Sequence, residues 1–310
     1  MEKTGNKAPV LVVMAAGMGS RFGGLKQITP VDEAGHALME YAIYDAWRGG
    51  FRDVLFIIRE SFEEEFKEKI GNRVAGRMNV SYVRQELSAV PEGVTVPEGR
   101  EKPWGTTHAL YCCKDALAGR PFLTVNADDY YGIESFAIAY RFLADETADP
   151  NCHGIIGYEA VKTLTESGTV SRGICKTDEK GNLLRIDERK EIKLENGRGY
   201  FTLDQGENWT AIDADAKASM NMWAFRPGFL EDQAKTFPDR MVKGVAESPL
   251  KFEETISDAV QDMLERDKAK AVVLSTPSTW FGMTYKEDID AVKKALADLT
   301  TEGVYPKGQW

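Results

Sequence analysis

A chain of 310 residues can form one large α/β domain or two smaller ones, and it needs neither disulfides nor a structural metal to bury a core. Its composition, with 43% hydrophobic and 28% charged residues, is that of an ordinary globular enzyme. The formal net charge of −10 argues against a nucleic-acid partner, because proteins that follow a phosphate backbone carry a basic face.

The first part of the chain alternates between apolar strands and helical patterns. The predicted strands cover residues 10–14, 53–60, 79–86 and 121–132. The predicted helices cover residues 38–47, 61–71 and 106–117. This alternation predicts an α/β fold with a parallel sheet and helices on both faces. Ligands of such sheets bind at the carboxyl ends of the strands, where the sequence places a glycine-rich loop and the acidic pair Asp128–Asp129.

The second part of the chain has a different pattern. Short strands separated by turns are predicted at residues 154–161, 171–191 and 219–227, which indicates antiparallel additions to the sheet. Helical patterns return at residues 252–265 and 287–299. No low-complexity linker interrupts the chain, so we expect residues 1–310 to form one domain with an inserted antiparallel lobe. Its portions would be a nucleotide-binding part at about 8–135, an acceptor-binding lobe at about 150–230 and C-terminal helices at about 231–300.

The loop after the first strand reads "AAGMGSR" and is followed by Lys26. It is not a Walker A motif because no GK[ST] follows, and Phe22 stands where a dinucleotide fingerprint needs glycine. Glycines allow the main chain to approach a ligand closely, and successive amides can surround phosphate oxygens. Arg21 adds a planar fork of donors and Lys26 a point charge. A polyphosphate site is therefore predicted, against the alternative of a tight turn with an exposed arginine.

Further motifs follow this loop in an order that resembles the nucleotidyltransferases that make nucleotide-sugars. The matching stretches, spread over residues 10–299, are "AAGMGSR…LK", "YVRQE", "WGTTHAL", "VNADDYYG", "IDERKE" and "SMNMWAF". The resemblance implies a Rossmann-like, mainly parallel mixed sheet flanked by helices, a GT-A-like nucleotidyltransferase fold with an antiparallel sugar-binding lobe. It also implies Mg²⁺-dependent transfer of a nucleoside monophosphate group from a nucleoside triphosphate to a sugar 1-phosphate, with release of pyrophosphate.

The resemblance assigns residues to the phosphates and the metal. The triphosphate would lie along the backbone of Ala15, Ala16, Gly17, Gly19 and Ser20. Arg21 would contact the phosphates that leave as pyrophosphate, and Lys26 would bridge the α-phosphate and the phosphate of the acceptor. Asp128 would hold Mg²⁺. Because the attacking group is an ionised phosphate, the chemistry needs no Ser/His/Asp set.

The resemblance also assigns residues to the base and the acceptor. Gln85, Gly105 and Thr106 would face the base, which by the family's habit is a pyrimidine. Glu188, Arg189 and Asn221 would contact the acceptor. UTP, dTTP and CTP are not separated at this stage. The acceptor could be a hexose 1-phosphate, an amino-sugar phosphate or phosphocholine.

Three features depart from the family's pattern. Many relatives place a second metal-binding acid after a tryptophan near the C-terminus, whereas this chain has Gly282 there. Arg189 replaces a lysine. The repeated "VPEGVTVPEG" at residues 90–99 lengthens the segment after Gln85, and it could be a lid, a partner contact or an ornament.

Two other functions stay open on the sequence. The "ADDY" stretch loosely resembles the acidic metal motif of GT-A glycosyltransferases, which consume nucleotide-sugars. The absence of an acid at Gly282 is compatible with a non-catalytic, nucleotide-binding regulatory protein. The loop containing Arg21 and Lys26 favours a transferase that must hold a leaving polyphosphate.

The cysteine pattern bears on the compartment. Four cysteines lack CxxC spacing and a neighbouring histidine: Cys112, Cys113, Cys152 and Cys175. We expect them to be reduced core residues, which suits the cytoplasm. No apolar run reaches the roughly 20 residues of a membrane span, so no membrane partner is expected.

Overall fold

The computed structural model describes residues 8–17, 26–117, 119–165, 168–283 and 285–308. Its strands are β1 (Val10–Met14), β2 (Asp53–Ile58), β3 (Asn79–Arg84), β4 (Phe122–Asn126), β5 (Asp129–Tyr130), β6 (Cys152–Glu159), β7 (Val170–Thr177), β8 (Leu183–Glu195), β9 (Arg198–Thr202), β10 (Thr210–Ala211), β11 (Lys217–Phe225), β12 (Lys270–Ser275) and β13 (Phe281–Gly282). Its α-helices are α1 (Leu38–Gly49), α2 (Glu63–Phe66), α3 (Asn72–Val74), α4 (Thr106–Tyr111), α5 (Lys114–Leu117), α6 (Ile133–Leu143), α7 (Gly228–Glu247), α8 (Ile256–Glu265) and α9 (Asp288–Thr301).

One large mixed sheet carries the fold. Within the described ranges its strands follow the order β10-β9-β8-β7-β11-β4-β1-β2-β3, and β6 pairs with both β11 and β12. The core strands β4, β1, β2 and β3 are parallel. Strands β11, β7, β8, β9 and β10 add to them in antiparallel fashion. The predicted α/β class, with its parallel core and antiparallel additions, is confirmed. The division into three portions stays a prediction.

Strand β1 shows why this chain forms a sheet covered on both faces. Leu11 and Val13 pack into one hydrophobic cluster with α1, α6 and part of α2, whereas Val10 and Val12 pack into a second cluster with α4 and α8. Because successive side chains of a strand point to opposite faces, a strand buried on both sides must be apolar throughout. Because β4, β1, β2 and β3 run parallel, their carboxyl ends all lie at one edge of the sheet, next to the predicted site.

The segment with the repeated "VPEG" is packed against the protein. Val90, Val94 and Val96 contact the cluster that contains the buried Trp104 and residues of α7. The Arg100 guanidinium lies 3.5 Å from the Trp104 ring centroid, and Nη1 donates to the Pro249 carbonyl at 2.7 Å. The segment thus ties the end of β3 to the C-terminal half of the chain.

The structure also bears on the expectations for the cysteines and for membrane-spanning segments. Cys113 and Cys175 are buried, Cys112 and Cys152 are partly buried, and all four are unpaired thiols in the described structure. Among the residues that the structure describes, no helix has both the length and the apolar character needed to cross a bilayer.

The buried His153 makes the stability of the fold depend on pH. Its ring packs edge-on against Phe225 and Phe229, and burial lowers the pKa of the imidazole to about 3, helped by the charge of Arg226. In the unfolded chain the imidazole has its ordinary pKa near 6.5. The unfolded state therefore binds the proton more strongly, so the contribution is complete above pH 6.5 and is lost as the pH falls towards 3.

We expect His153→Phe to remove part of the acid sensitivity. Between pH 7 and pH 5 the parent should lose about 2 kcal/mol of unfolding free energy through this group, and the variant should not. Urea unfolding of both proteins at the two pH values measures the difference. An equal pH effect in parent and variant would contradict the assignment to His153.

Candidate active site

The loop after β1 begins with a constrained backbone. The Ala15 amide donates to the Ile57 carbonyl at 2.9 Å, which continues the pairing of β1 with β2. The carbonyls of Ala16 and Gly17 accept hydrogen bonds from Arg59 Nε at 2.9 Å and Gln27 Nε2 at 2.6 Å. The sequence analysis missed both side chains, because no motif marks their spacing. The other predicted residues of the loop, Gly19, Ser20 and Arg21, lie outside the described residues.

Lys26 and Asp128 lie together at the carboxyl ends of β1 and β4. The resemblance implies this proximity, because it assigns Lys26 to the α-phosphate and Asp128 to the metal that binds the phosphates. Lys26 Nζ contacts Asp128 Oδ2 across 102 positions of sequence. The lysine side chain is 9% exposed, whereas the aspartate side chain is 37% exposed. A buried ammonium next to an accessible carboxylate can bring an anion and a cation to one point.

A chain of amides holds Asp129, which lies beside Asp128. Asn221 Nδ2 donates to Asn126 Oδ1 at 3.0 Å, and Asn126 Nδ2 donates to Asp129 Oδ2 at 2.8 Å. Asn221 adopts a φ of +59° where the pairing of β11 with β6 shifts register. Burial raises the pKa of Asp129 to about 7, and the charge of Asp128 adds to the shift. Asn221 therefore contacts the acidic pair only through Asn126.

Gly282 lies directly opposite Asp129. The short strands β13 and β5 pair antiparallel with Gly282 across from Asp129, and the Met283 amide donates to the Asp128 carbonyl at 2.9 Å. A Cβ added at Gly282 would come within 2.5 Å of Asp129 Oδ1 and 2.9 Å of the Trp280 ring. The missing side chain at position 282 thus makes room for the carboxylate of Asp129.

Gln85 and Gly105 also lie together, as predicted for a base subsite. Gln85 Nε2 donates to the Gly105 carbonyl at 3.1 Å and lies 3.4 Å from His108 Nδ1. His108 Nε2 lies 2.6 Å from the Ala89 carbonyl, so this nitrogen carries the hydrogen and Nδ1 is an acceptor. Both hydrogens of the Gln85 amide are therefore directed at protein acceptors. Its Oε1 accepts no hydrogen bond from the described residues and remains available to a ligand.

Thr106 serves another element. Its Oγ1 accepts a hydrogen bond from the Ile256 amide at 2.9 Å, which ties the start of α4 to the start of α8. Gly105 precedes it with a φ of +100° and abuts the backbone of Glu254. The hydroxyl of Thr106 is thus engaged in packing two helix starts, and a role towards the base stays a prediction.

Glu188 borders a cavity on the α8 side of the sheet. This cavity has a volume of 260 Å³ and is also lined by Trp223, Thr255 and Asp258. Glu188 pairs with Gly173 in register, and a Cβ on Gly173 would come within 2.9 Å of Glu188 Oε1. Burial raises the pKa of Glu188, and the charge of Asp258 adds to this. A partly buried carboxylate at a cavity wall is suited to accept hydrogen bonds from sugar hydroxyls.

Arg189 lies on the opposite face of β8, so the structure does not bring it together with Glu188. Its Nη2 donates to Asp187 Oδ2 at 3.0 Å, and its guanidinium lies 4.5 Å from the Phe201 ring centroid. Arg172, which the sequence analysis missed, pairs with Arg189 in register and stacks 4.9 Å from the Trp280 ring centroid. This face therefore offers two guanidinium groups, of which Arg172 stacks on the residue that precedes β13.

The donor set at the acidic pair fits Mg²⁺. This cation takes oxygen ligands and is usually held by one or two carboxylates together with substrate phosphates. Asp128 and Asp129 supply two carboxylates, and Gly282, which has no Cβ, leaves room for the Asp129 carboxylate itself. Among all the described residues, those around the acidic pair included, no three His, Cys, Asp or Glu side chains form a group suited to a metal ion, so the two carboxylates would need substrate phosphates to complete the ligand set.

Comparison with known proteins gives a family for the sequence. Residues 10–283 match the family model described as nucleotidyl transferase. No curated protein sequence matches the chain.

Solved structures give the same fold. A protein from Bacillus anthracis, named for glucose-1-phosphate thymidylyltransferase activity and bound to sucrose, aligns with a TM-score of 0.62 at 12% identity over 94% of this chain and 96% of its own. A UDP-glucose pyrophosphorylase with UDP-glucose gives 0.57 at 16% identity over 94% and 99%. A UTP-bound UGPase from Acinetobacter baumannii gives 0.57 at 13% identity over 97% and 95%. At these identities the likeness shows the fold alone.

Proposed function

The chain belongs to the nucleotidyl transferase family, and on that premise we propose that it transfers a nucleoside monophosphate group from a nucleoside triphosphate to a sugar 1-phosphate, releasing pyrophosphate. The observation that carries the proposal is the contact of Lys26 with Asp128 at the carboxyl ends of β1 and β4. An ammonium and a metal-binding carboxylate at one point suit a reaction between two phosphate anions.

The reaction needs positioning and charge neutralisation. A phosphate oxygen of the acceptor attacks the α-phosphorus and forms a new P–O bond. The bond between the α-phosphorus and the oxygen that bridges the α- and β-phosphates breaks, and pyrophosphate leaves with the electron pair. Lys26 would lie between the attacking phosphate and the α-phosphate and reduce their repulsion. The backbone of Ala15–Gly17, fixed by Arg59 and Gln27, would carry the phosphates that leave.

Mg²⁺ is proposed as the cofactor, held by Asp128. When bound, it would supply positive charge to the phosphate oxygens during transfer. Glu188 would accept hydrogen bonds from hydroxyls of the acceptor at the 260 Å³ cavity. Arg189 and Arg172 are cations on the other face of the same strand pair, so they would not meet the hydroxyls that Glu188 binds at this cavity.

A pyrimidine triphosphate is proposed as the donor, with uracil or thymine as the base. Because both Gln85 amide hydrogens are directed at protein acceptors, the side chain offers the base an acceptor oxygen. At position 3 of the base, the N3–H group of uracil or thymine can donate to that oxygen, whereas N3 of cytosine has no hydrogen and the nearest donor is its 4-amino group. We therefore expect UTP or dTTP to be used in preference to CTP.

Gln85→Leu tests the base contact. Loss of one hydrogen bond to the base should cost about 1.4 kcal/mol, or about tenfold in kcat/KM for the preferred triphosphate. The loss should appear in KM for the triphosphate, with kcat at saturation unchanged. Steady-state kinetics at varied triphosphate concentration measures it, and KM for the acceptor is the internal control. An unchanged KM for the triphosphate would show that Gln85 does not contact the base.

The function itself is tested by a matrix of triphosphates and acceptors. UTP, dTTP, CTP, ATP and GTP are each combined with glucose 1-phosphate, glucosamine 1-phosphate and phosphocholine in the presence of Mg²⁺. We expect pyrophosphate to be released only when both substrates are present, in equal amount to a nucleotide-sugar identified by mass spectrometry. Release of nucleoside diphosphate from a nucleotide-sugar, with no pyrophosphate from any pair, would favour a glycosyltransferase instead.

A further inference from the structure

The space opposite Gly282 is occupied by a carboxylate that comes from another strand. Gly282 and Asp129 are direct partners in the β13–β5 pair. A Cβ at position 282 would approach Asp129 Oδ1 to 2.5 Å, which is closer than real Cβ atoms come to an oxygen. A side chain at position 282 and the present position of Asp129 therefore exclude each other.

The Asp129 carboxylate is held by one of its two oxygens. Oδ2 accepts hydrogen bonds from Asn126 Nδ2 at 2.8 Å and from the Tyr131 hydroxyl at 3.2 Å. Oδ1 accepts none from the described residues and lies on the side of Gly282. The residue is 8% exposed, one oxygen is held by two hydrogen bonds, and the other has no hydrogen-bond partner among the described residues.

We propose that Asp129 acts with Asp128 as the second carboxylate towards the divalent metal, a role that Gly282 permits by lacking a side chain. This inference rests on the proposed function, which supplies the metal and the phosphates. The two carboxylates come from consecutive residues between the end of β4 and the start of β5, and the Met283 amide fixes their backbone through the Asp128 carbonyl. Asn126, itself oriented by Asn221, is a positioning residue for Asp129.

The test measures how the Asp129 carboxylate affects metal binding, and it does not depend on enzyme activity. Mn²⁺ alone serves as the probe, and free Mn²⁺ is measured by electron paramagnetic resonance during titration of the full chain. We expect Asp129→Asn to weaken Mn²⁺ binding at least tenfold. The double variant Asp129→Ala/Gly282→Asp, which removes the side chain that excludes position 282 and returns a carboxylate from the facing strand, should recover to within about threefold of the parent.

Two further variants separate metal binding from folding. Asp45→Asn is the matched control, because Asp45 is also a fully buried carboxyl, held by the Tyr305 hydroxyl at 2.7 Å, and Mn²⁺ binding should stay within twofold of the parent. Gly282→Ala keeps every carboxylate but displaces Asp129 Oδ1, so it should weaken Mn²⁺ binding at least threefold. If circular dichroism shows that Asp129→Asn does not fold, Mn²⁺ binding by Gly282→Ala tests the inference in its place.

Three results would overturn the inference: unaltered Mn²⁺ binding by Asp129→Asn, a double variant as weak as that single variant, or a parent that binds no Mn²⁺ at millimolar concentration. Failure of the inference is distinct from failure of the proposed function. Pyrophosphate release by the parent, together with normal Mn²⁺ binding by Asp129→Asn, would remove only the inference. If the variants show the expected order of Mn²⁺ affinities but no substrate pair is turned over, only the proposed function is contradicted.

Discussion

Replacement of Lys26 by methionine should lower kcat/KM for pyrophosphate release by about 10³-fold, equivalent to about 4 kcal/mol. Two effects act in the same direction. The variant loses the ammonium that neutralises the phosphates, and it leaves the Asp128 carboxylate with Mg²⁺ but without the ammonium, so that less positive charge faces two anionic substrates. A pair of like charges 4 Å apart near a protein surface repel by about 4 kcal/mol. Steady-state kinetics with both substrates varied measures the loss.

A surface lysine provides the control for this variant. Lys102 also forms an ion pair, at 2.5 Å to Glu253, but the two side chains are 48% and 39% exposed. Lys102→Met should leave kcat/KM within about twofold of the parent, since an exposed ion pair contributes little and Lys102 has no role in our assignment. If Lys26→Met retained more than a tenth of the parent activity, Lys26 would have no role in transfer.

Gly105→Ala should destabilise the fold by about 4 kcal/mol. Gly105 has a φ of +100°, a conformation that alanine adopts only under strain. Its Cβ would meet the Glu254 carbonyl oxygen and lie 2.7 Å and 2.8 Å from the Glu254 amide nitrogen and carbonyl carbon. Backbone atoms cannot swing aside as a flexible side chain can, so the segment before α8 must shift. Urea unfolding measures the loss of free energy.

Gly99→Ala is the matched control for the backbone strain alone. Gly99 has a φ of +76°, and apart from its chain neighbours no atom of the described residues lies within 4 Å of its Cβ position. We expect a loss of about 1 kcal/mol there. Equal losses at Gly99 and Gly105 would mean that the contact with Glu254 contributes nothing.

Part of the site could be predicted from sequence because the topology is regular. Parallel strands end at one edge, so the end of β1 and the end of β4 were expected to meet, and Lys26 does contact Asp128. Gln85 and Gly105 were placed together by the resemblance, and they share a hydrogen bond. These contacts depend on strand order, which a repeated strand–helix pattern conveys.

Other contacts depend on geometry that no sequence pattern conveys. The link from Asn221 to Asn126 requires a residue at positive φ within a register shift, and asparagine is common in many irregular positions. The opposition of Glu188 and Arg189 follows from strand alternation, yet a charged run gives no sign of which face meets the ligand.

Helix α7 was not predictable for a different reason. It runs for 20 residues with Pro238 inside, where local rules end a helix. Phe237 and Met241 are fully buried on either side of the proline, so tertiary packing offsets the lost hydrogen bond. The sequence analysis also assigns no helix at Ile133–Leu143, where the structure has α6.

The pairing of β4 with β11 has a consequence for how substrates enter and products leave. Thr124 and Trp223 face each other in a hydrogen-bonded ladder that joins the parallel core to the antiparallel strands, the two parts to which we assign the triphosphate and the acceptor. A hinge motion between these two parts would have to break the hydrogen bonds between β4 and β11 in the middle of the sheet. The middle of a sheet is among the most stable parts of a fold. We therefore expect turnover to be gated by loops at the sheet edge, with both halves moving as a unit.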